Sequence, residues 1–128
     1  MADYTLIRFD EAEDVLGDYP GEMRFLAGPL GTEQVAVTFR RMPAQTGSKG
    51  AYGHRHREQE EVYVVVSGTL QFKLEEDVID VEAGSALRVP GPMARGIWNE
   101  GPDDAELVIV STRIDGNDGE KVEDFWPA

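Results

Sequence analysis

The sequence contains two histidines, and both lie in one tripeptide, His54-Arg55-His56. Side chains two positions apart on a strand leave from the same face, so the two imidazoles are placed to hold one object between them. Arg57-Glu58-Gln59-Glu60 reads as a turn, after which Glu61, Tyr63 and Val65 share one face of the returning strand. Two imidazoles and a carboxylate bind divalent metals and leave coordination positions open. Further on, Arg95, Ile97 and Asn99 share a face, while Gly96 and Trp98 take the other. A guanidinium stays protonated and has no lone pair to donate, so Arg95 cannot be a metal ligand. Two roles are open to it: an ion pair with Glu61, or a clamp on the carboxylate or phosphate of a bound molecule. An unpaired buried polar group costs about 1–3 kcal/mol and a charge more, so a polar inward set of this kind implies a purpose.

The elements that must position these residues are strands. Alternating apolar and polar residues recur in short runs between turn residues, which predicts an all-β chain. The expected strands are Thr5–Phe9, Met23–Leu26, Gln34–Arg40, Gly50–His56, Val62–Ser67, Thr69–Leu74, Val78–Val81, Ala86–Val89, Arg95–Asn99 and Glu106–Thr112. Turns are expected at Gly28–Gly31, Ser67-Gly68, Glu75–Asp77, Ala83-Gly84, Pro90–Pro92 and Gly101–Asp104. The one helix predicted is Glu11–Leu16, capped by Asp10 with Glu13 as its reciprocal partner. From Asp115 the run Asp-Gly-Asn-Asp-Gly-Glu-Lys reads as a solvated connector. Phe125 and Trp126 beyond it are too apolar to leave wet and are expected to dock on the barrel or on a partner subunit. Tyr52, Tyr63, Phe72, Met93 and Ile97 are candidates for a pocket lining, although packing alone fills much of a small barrel. Trp98 should face away from that pocket, as a residue of a subunit interface. Arg40-Arg41 and Arg55/Arg57 are expected to pair with neighbouring Glu and Asp.

Composition removes several classes of function. A net charge of −13 opposes binding to nucleic acid and to anionic membranes. No run of about 18 apolar residues is present to span a bilayer. The first ten residues are mixed polar and acidic, unlike a signal peptide. Without cysteine there are no disulfides, thiolate ligands or cysteine nucleophiles, which fits a cytoplasmic protein.

Taken together, the spacings resemble the cupin superfamily. Its first motif has His-x-His, then Glu, then six residues and a Gly; His54, His56, Glu61 and Gly68 match it, with Ser48 in place of the leading Gly. Its second motif is matched by Gly84, Pro90 and Asn99, with Pro92 replacing a Gly and Arg95 replacing the His. The resemblance spans Gly47 to Asn99. It implies a cupin-type jelly-roll β-barrel (a double-stranded β-helix) as one domain over 1–128. The core barrel would lie at about 34–112, with the N-terminal strands and C-terminal tail packed on it. A divalent metal (iron, manganese, nickel or zinc) would then sit at His54, His56 and Glu61. Arg95, Tyr63, Tyr52 and Asn99 would face a small-molecule ligand. A homodimer would pair the edge strands. An enzyme built this way would be a metal-dependent oxygenase or isomerase. The alternative is a metal-free ligand-binding or sensor cupin, in which Arg95 pairs with Glu61 or clamps an anionic ligand.

Overall fold

The structure, a computed structural model, describes residues 2–128. Eleven strands form two facing antiparallel sheets. β1 (Glu22–Phe25), β2 (Val35–Met42), β10 (Ala105–Thr112), β5 (Glu61–Ser67) and β8 (Ser85–Val89) make the first, in the order β1-β2-β10-β5-β8. β11 (Gly119–Trp126), β4 (Ala51–His56), β9 (Arg95–Asn99), β6 (Thr69–Leu74) and β7 (Asp77–Glu82) follow one another across the second. The two-residue β3 (Thr46–Gly47) pairs with β9. This is the jelly-roll barrel that the resemblance implies, built from the strands that the alternating pattern predicts.

The barrel is packed at one end and hollow at the other. Met42, Tyr63, Val65, Leu70, Phe72, Val89, Ile97 and Leu107 form one core cluster between the sheets, each 3% exposed or less. Towards the other end, the inward positions of the same strands become polar. Thr38 and Arg40 on β2, His54 and His56 on β4, Glu61 on β5 and Ser111 on β10 line a cavity of about 480 Å³. Period-two alternation explains why these residues share a wall while their chain neighbours do not.

Three expectations near the termini are corrected. Thr5–Phe9 is not a strand, because the exposed edge strand β1 is met by an isolated bridge from Asp14 to Arg24 and not by this segment. Its last residue begins a short 3-10 turn, Phe9–Glu11, where Phe9 stacks on Phe39. Glu11–Leu16 is not a helix. The Asp14 carboxylate accepts hydrogen bonds from the amides of Leu16 and Met23, both at 3.1 Å, and such side-chain bonds compete with helical ones. Among the described residues the single α-helical turn lies instead at α1 (Ala27–Leu30). Finally, Gly119–Lys121 is no connector but the start of β11, paired with β4 so that Gly119 lies opposite His56 and Lys121 opposite His54. Local composition could not reveal a pairing made across more than sixty positions.

Phe125 and Trp126 at the end of β11 are buried with Ala94, against Trp98 and Val122. Trp98 thus faces away from the cavity as expected, but the covering residues belong to its own chain. Gly53, between these aromatics and β9, leaves no room for a side chain. An added Cβ would meet the Phe125 ring and come within 2.7 Å of the Arg95 carbonyl oxygen. The ring can turn, but the neighbouring backbone cannot. Gly53→Ala is therefore expected to destabilise the protein by about 1–3 kcal/mol, measured by urea unfolding.

Candidate metal centre and its cavity

His54 and His56 come from β4 and Glu61 from the start of β5, so one tight reversal brings all three to the barrel wall. Their ligand atoms all lie within 4.8 Å of one another. His54 Nε2 is 3.5 Å and His56 Nε2 3.4 Å from Glu61 Oε1. These separations are long for hydrogen bonds. They suit a shared ion, since two ligands about 2.1 Å from a metal at tetrahedral angles lie about 3.4 Å apart.

The state of His56 strengthens the fit. Its Nδ1 lies 2.8 Å from Asp118 Oδ1. The other Asp118 oxygen accepts the backbone N–H groups of Glu58 and Gln59, each at 2.8 Å. Burial pushes the Asp118 carboxyl up, but those two amides and His56 outweigh it and hold it down to about 2. An ionised carboxylate only accepts, so Nδ1 carries the proton of the neutral imidazole, and in that form Nε2 has its lone pair free for an ion. Nε2 is buried with no hydrogen-bond partner. A buried polar atom without a partner is costly, and a metal ion would supply one. His56 and Glu61 are only 11% and 13% exposed at the side chain, whereas His54 is 41% exposed and forms the accessible side of the set.

Arg95 is fully buried. Its Nη2 donates to Glu61 Oε1 at 3.0 Å and its Nε to the Tyr63 hydroxyl at 3.2 Å. Its Nη1 donates to the carbonyls of Gly91 and Met93 at 2.8 and 2.7 Å, with Pro90 at 3.3 Å. Tyr63 in turn donates to Glu61 Oε1 at 2.5 Å. Burial alone would raise the Glu61 pKa, but His54, His56, Tyr63 and Arg95 together hold it well below the usual carboxylate range. Burial and the nearby Glu61 charge push the Tyr63 phenol up. The Glu61 carboxylate and Asp118 raise His56 despite its burial. Every hydrogen bond that Glu61's side chain makes among the described residues converges on Oε1, leaving Oε2 without a protein donor.

The other expected site residues divide. Tyr52, Tyr63 and Ile97 line the cavity with the two histidines. Phe72 and Met93 pack in and against the core. Asn99 is turned away from the cavity. Its Nδ2 donates to the carbonyls of Met42 and Asp103, and its Oδ1 accepts from Gly101 N–H. Arg41 and Arg55 form the ion pairs expected of them, with Glu22 and Asp104 and with Glu120. Arg40 does not, and instead faces the cavity. Asp118 and Arg40 are the site residues that sequence reasoning missed. Strand alternation held a signal for Arg40, because adjacent arginines on one strand must face opposite ways. Nothing local singled out Asp118.

A family model described as a cupin domain matches residues 40–111, more than half of the chain. The protein therefore belongs to the cupin family. Solved structures agree on the fold. A double-stranded β-helix protein from Klebsiella pneumoniae superposes with a TM-score of 0.73 at 17% identity, over 94% of this chain and 99% of the other. The polyketide cyclase RemF from Streptomyces resistomycificus gives 0.74 at 16% identity, over 94% and 85%. A cupin protein from Bacteroides fragilis gives 0.69 at 19% identity, over 91% and 89%. A sequence search of curated proteins finds no match. No helix among the described residues is long and apolar enough to cross a membrane.

Proposed function

We propose that this cupin binds a small molecule in its barrel cavity beside a divalent metal held by His54, His56 and Glu61. The observation that carries the reading is the buried, unpartnered Nε2 of His56, spaced from Glu61 as one of two ligands to the same ion. A bound divalent ion would act there as a Lewis acid on an oxygen of the substrate. Asp118 fixes the His56 tautomer, Arg95 and the Tyr63 hydroxyl keep Glu61 ionised and oriented, and Tyr52 offers a hydroxyl to the ligand. Metal-assisted conversion of a small organic substrate suits this arrangement, and the fold neighbour named as a polyketide cyclase fits an enzymatic use. The reading includes a homodimer in the cytoplasm. Val78 and Ile79 on the edge strand β7 are 50% and 37% exposed, and edge pairing with a second copy would cover them.

One observation favours a second reading, a metal-free binding or sensor module. Glu61 Oε1 already accepts from both Arg95 and Tyr63, as an internal ion pair would. Stoichiometry separates the two. Protein stripped with chelator and then offered iron(II), manganese, nickel or zinc should take up one ion per chain, and the His54→Ala/His56→Ala variant none. Absence of uptake by the unaltered protein would leave the metal-free module.

A further inference from the structure

Arg40 is the one charged residue on the cavity wall that forms no ion pair among the described residues. Its neighbour Arg41 faces the other way and pairs with Glu22 at 3.1 Å and Asp104 at 3.2 Å. Elsewhere on the wall, Glu61 pairs with Arg95, Glu120 with Arg55 and Lys121 with Glu123. Arg40 makes no hydrogen bond either, and its Nε is buried without a partner. The chain has 25 acidic residues for 12 basic ones, so the missing partner does not reflect a scarcity of carboxylates. Burial lowers the Arg40 pKa, and the ionisable groups acting on it are the phenols of Tyr19, Tyr63 and Tyr52. Arg40 is half-buried, so an anion entering the cavity can reach its terminal nitrogens, and it would complete a guanidinium whose buried Nε costs stability without a partner.

We propose that Arg40 is the anion subsite of the cavity and selects an organic carboxylate with an apolar body. The guanidinium fork matches the two oxygens of a carboxylate. Met23, Phe25, Ile97 and Ile109 line the same cavity and give the apolar body its surface. A cavity of about 480 Å³ has room for a ring-sized ligand. A phosphate dianion fits less well, since the wall offers no second uncommitted Lys or Arg among the described residues. The inference rests on the reading of this cavity as a small-molecule pocket and names its substrate class. His54 and His56 line the same cavity.

The probes are benzoate, its neutral isostere benzamide, and inorganic phosphate. Each is titrated by NMR into the full chain in excess chelator, so that no metal takes part. Benzoate should bind about tenfold or more tightly than benzamide, and phosphate more weakly than benzoate. Arg40→Met should abolish the preference for benzoate. It should also raise the melting temperature, which loss of a structural arginine would not do. Arg40→Gln must show the same lost preference if the Met variant fails to fold. The His54→Ala/His56→Ala variant should keep the benzoate preference while losing metal, so failure of the metal centre and failure of the anion subsite give different results. Equal binding of benzoate and benzamide, no binding of either, tighter binding of phosphate, or an unchanged preference in the Arg40 variants would overturn the proposal.

Discussion

Arg95→Met is expected to lower the unfolding free energy by about 3–5 kcal/mol, the usual result of removing one partner from a buried ion pair. Arg95 is fully buried, and every one of its nitrogens has a protein acceptor. Methionine fills similar space but donates nothing. Glu61 would stay ionised with its cation gone, and the carbonyls of Gly91 and Met93 would lose their side-chain donor. Urea unfolding measures the loss, and a double-mutant cycle apportions it. Adding Glu61→Gln should recover part of the stability, because the stranded charge disappears, but not the part owed to the carbonyls. A drop below 1 kcal/mol for Arg95→Met would show that the guanidinium does not hold this end of the barrel together.

Asp118→Asn is expected to weaken metal binding by about 10–100-fold, with a smaller effect on folding. Asp118 spends one oxygen on the amides of Glu58 and Gln59 and the other on His56 Nδ1. Asparagine has one oxygen, and the two amides require it, so its NH₂ must face the imidazole. Nδ1 then has to accept, and the proton moves to Nε2, the atom that a metal would need. Nitrogen chemical shifts of the His56 ring report this exchange directly, and metal titration reports its cost. A residue that only stapled the turn would lower the melting temperature without changing the tautomer. Unaltered ring shifts in the Asn variant would contradict the assignment.

The sequence makes some of this site legible and hides the rest. His54, His56 and Glu61 stand out because their relationship is local: one strand, one turn and period-two alternation place them together. Arg95 and Asn99 share an inward strand face in the sequence, yet both are saturated with internal bonds, and alternation cannot distinguish a cavity wall from a packed interior. Asp118 lies in a run whose composition reads as solvated, and its role arises only through pairing of β11 with β4, 62 residues from its partner. Arg40 was obscured by the excess of acidic residues, which made ion pairing the ordinary expectation for every base. The strands of the barrel follow from alternation and turn chemistry, but their order rests on long-range pairings such as β2 with β10, and the terminal segments follow particular contacts, such as those of Asp14, that outweigh propensity.

The central claim is that His54, His56 and Glu61 converge on one ion inside the barrel. Anomalous scattering from crystals grown with manganese or cobalt tests it most directly. A single interior peak about 2.0–2.3 Å from Nε2 of both histidines and from a Glu61 oxygen is the predicted result. A map with no peak there, or with metal only at acidic surface positions, would contradict it.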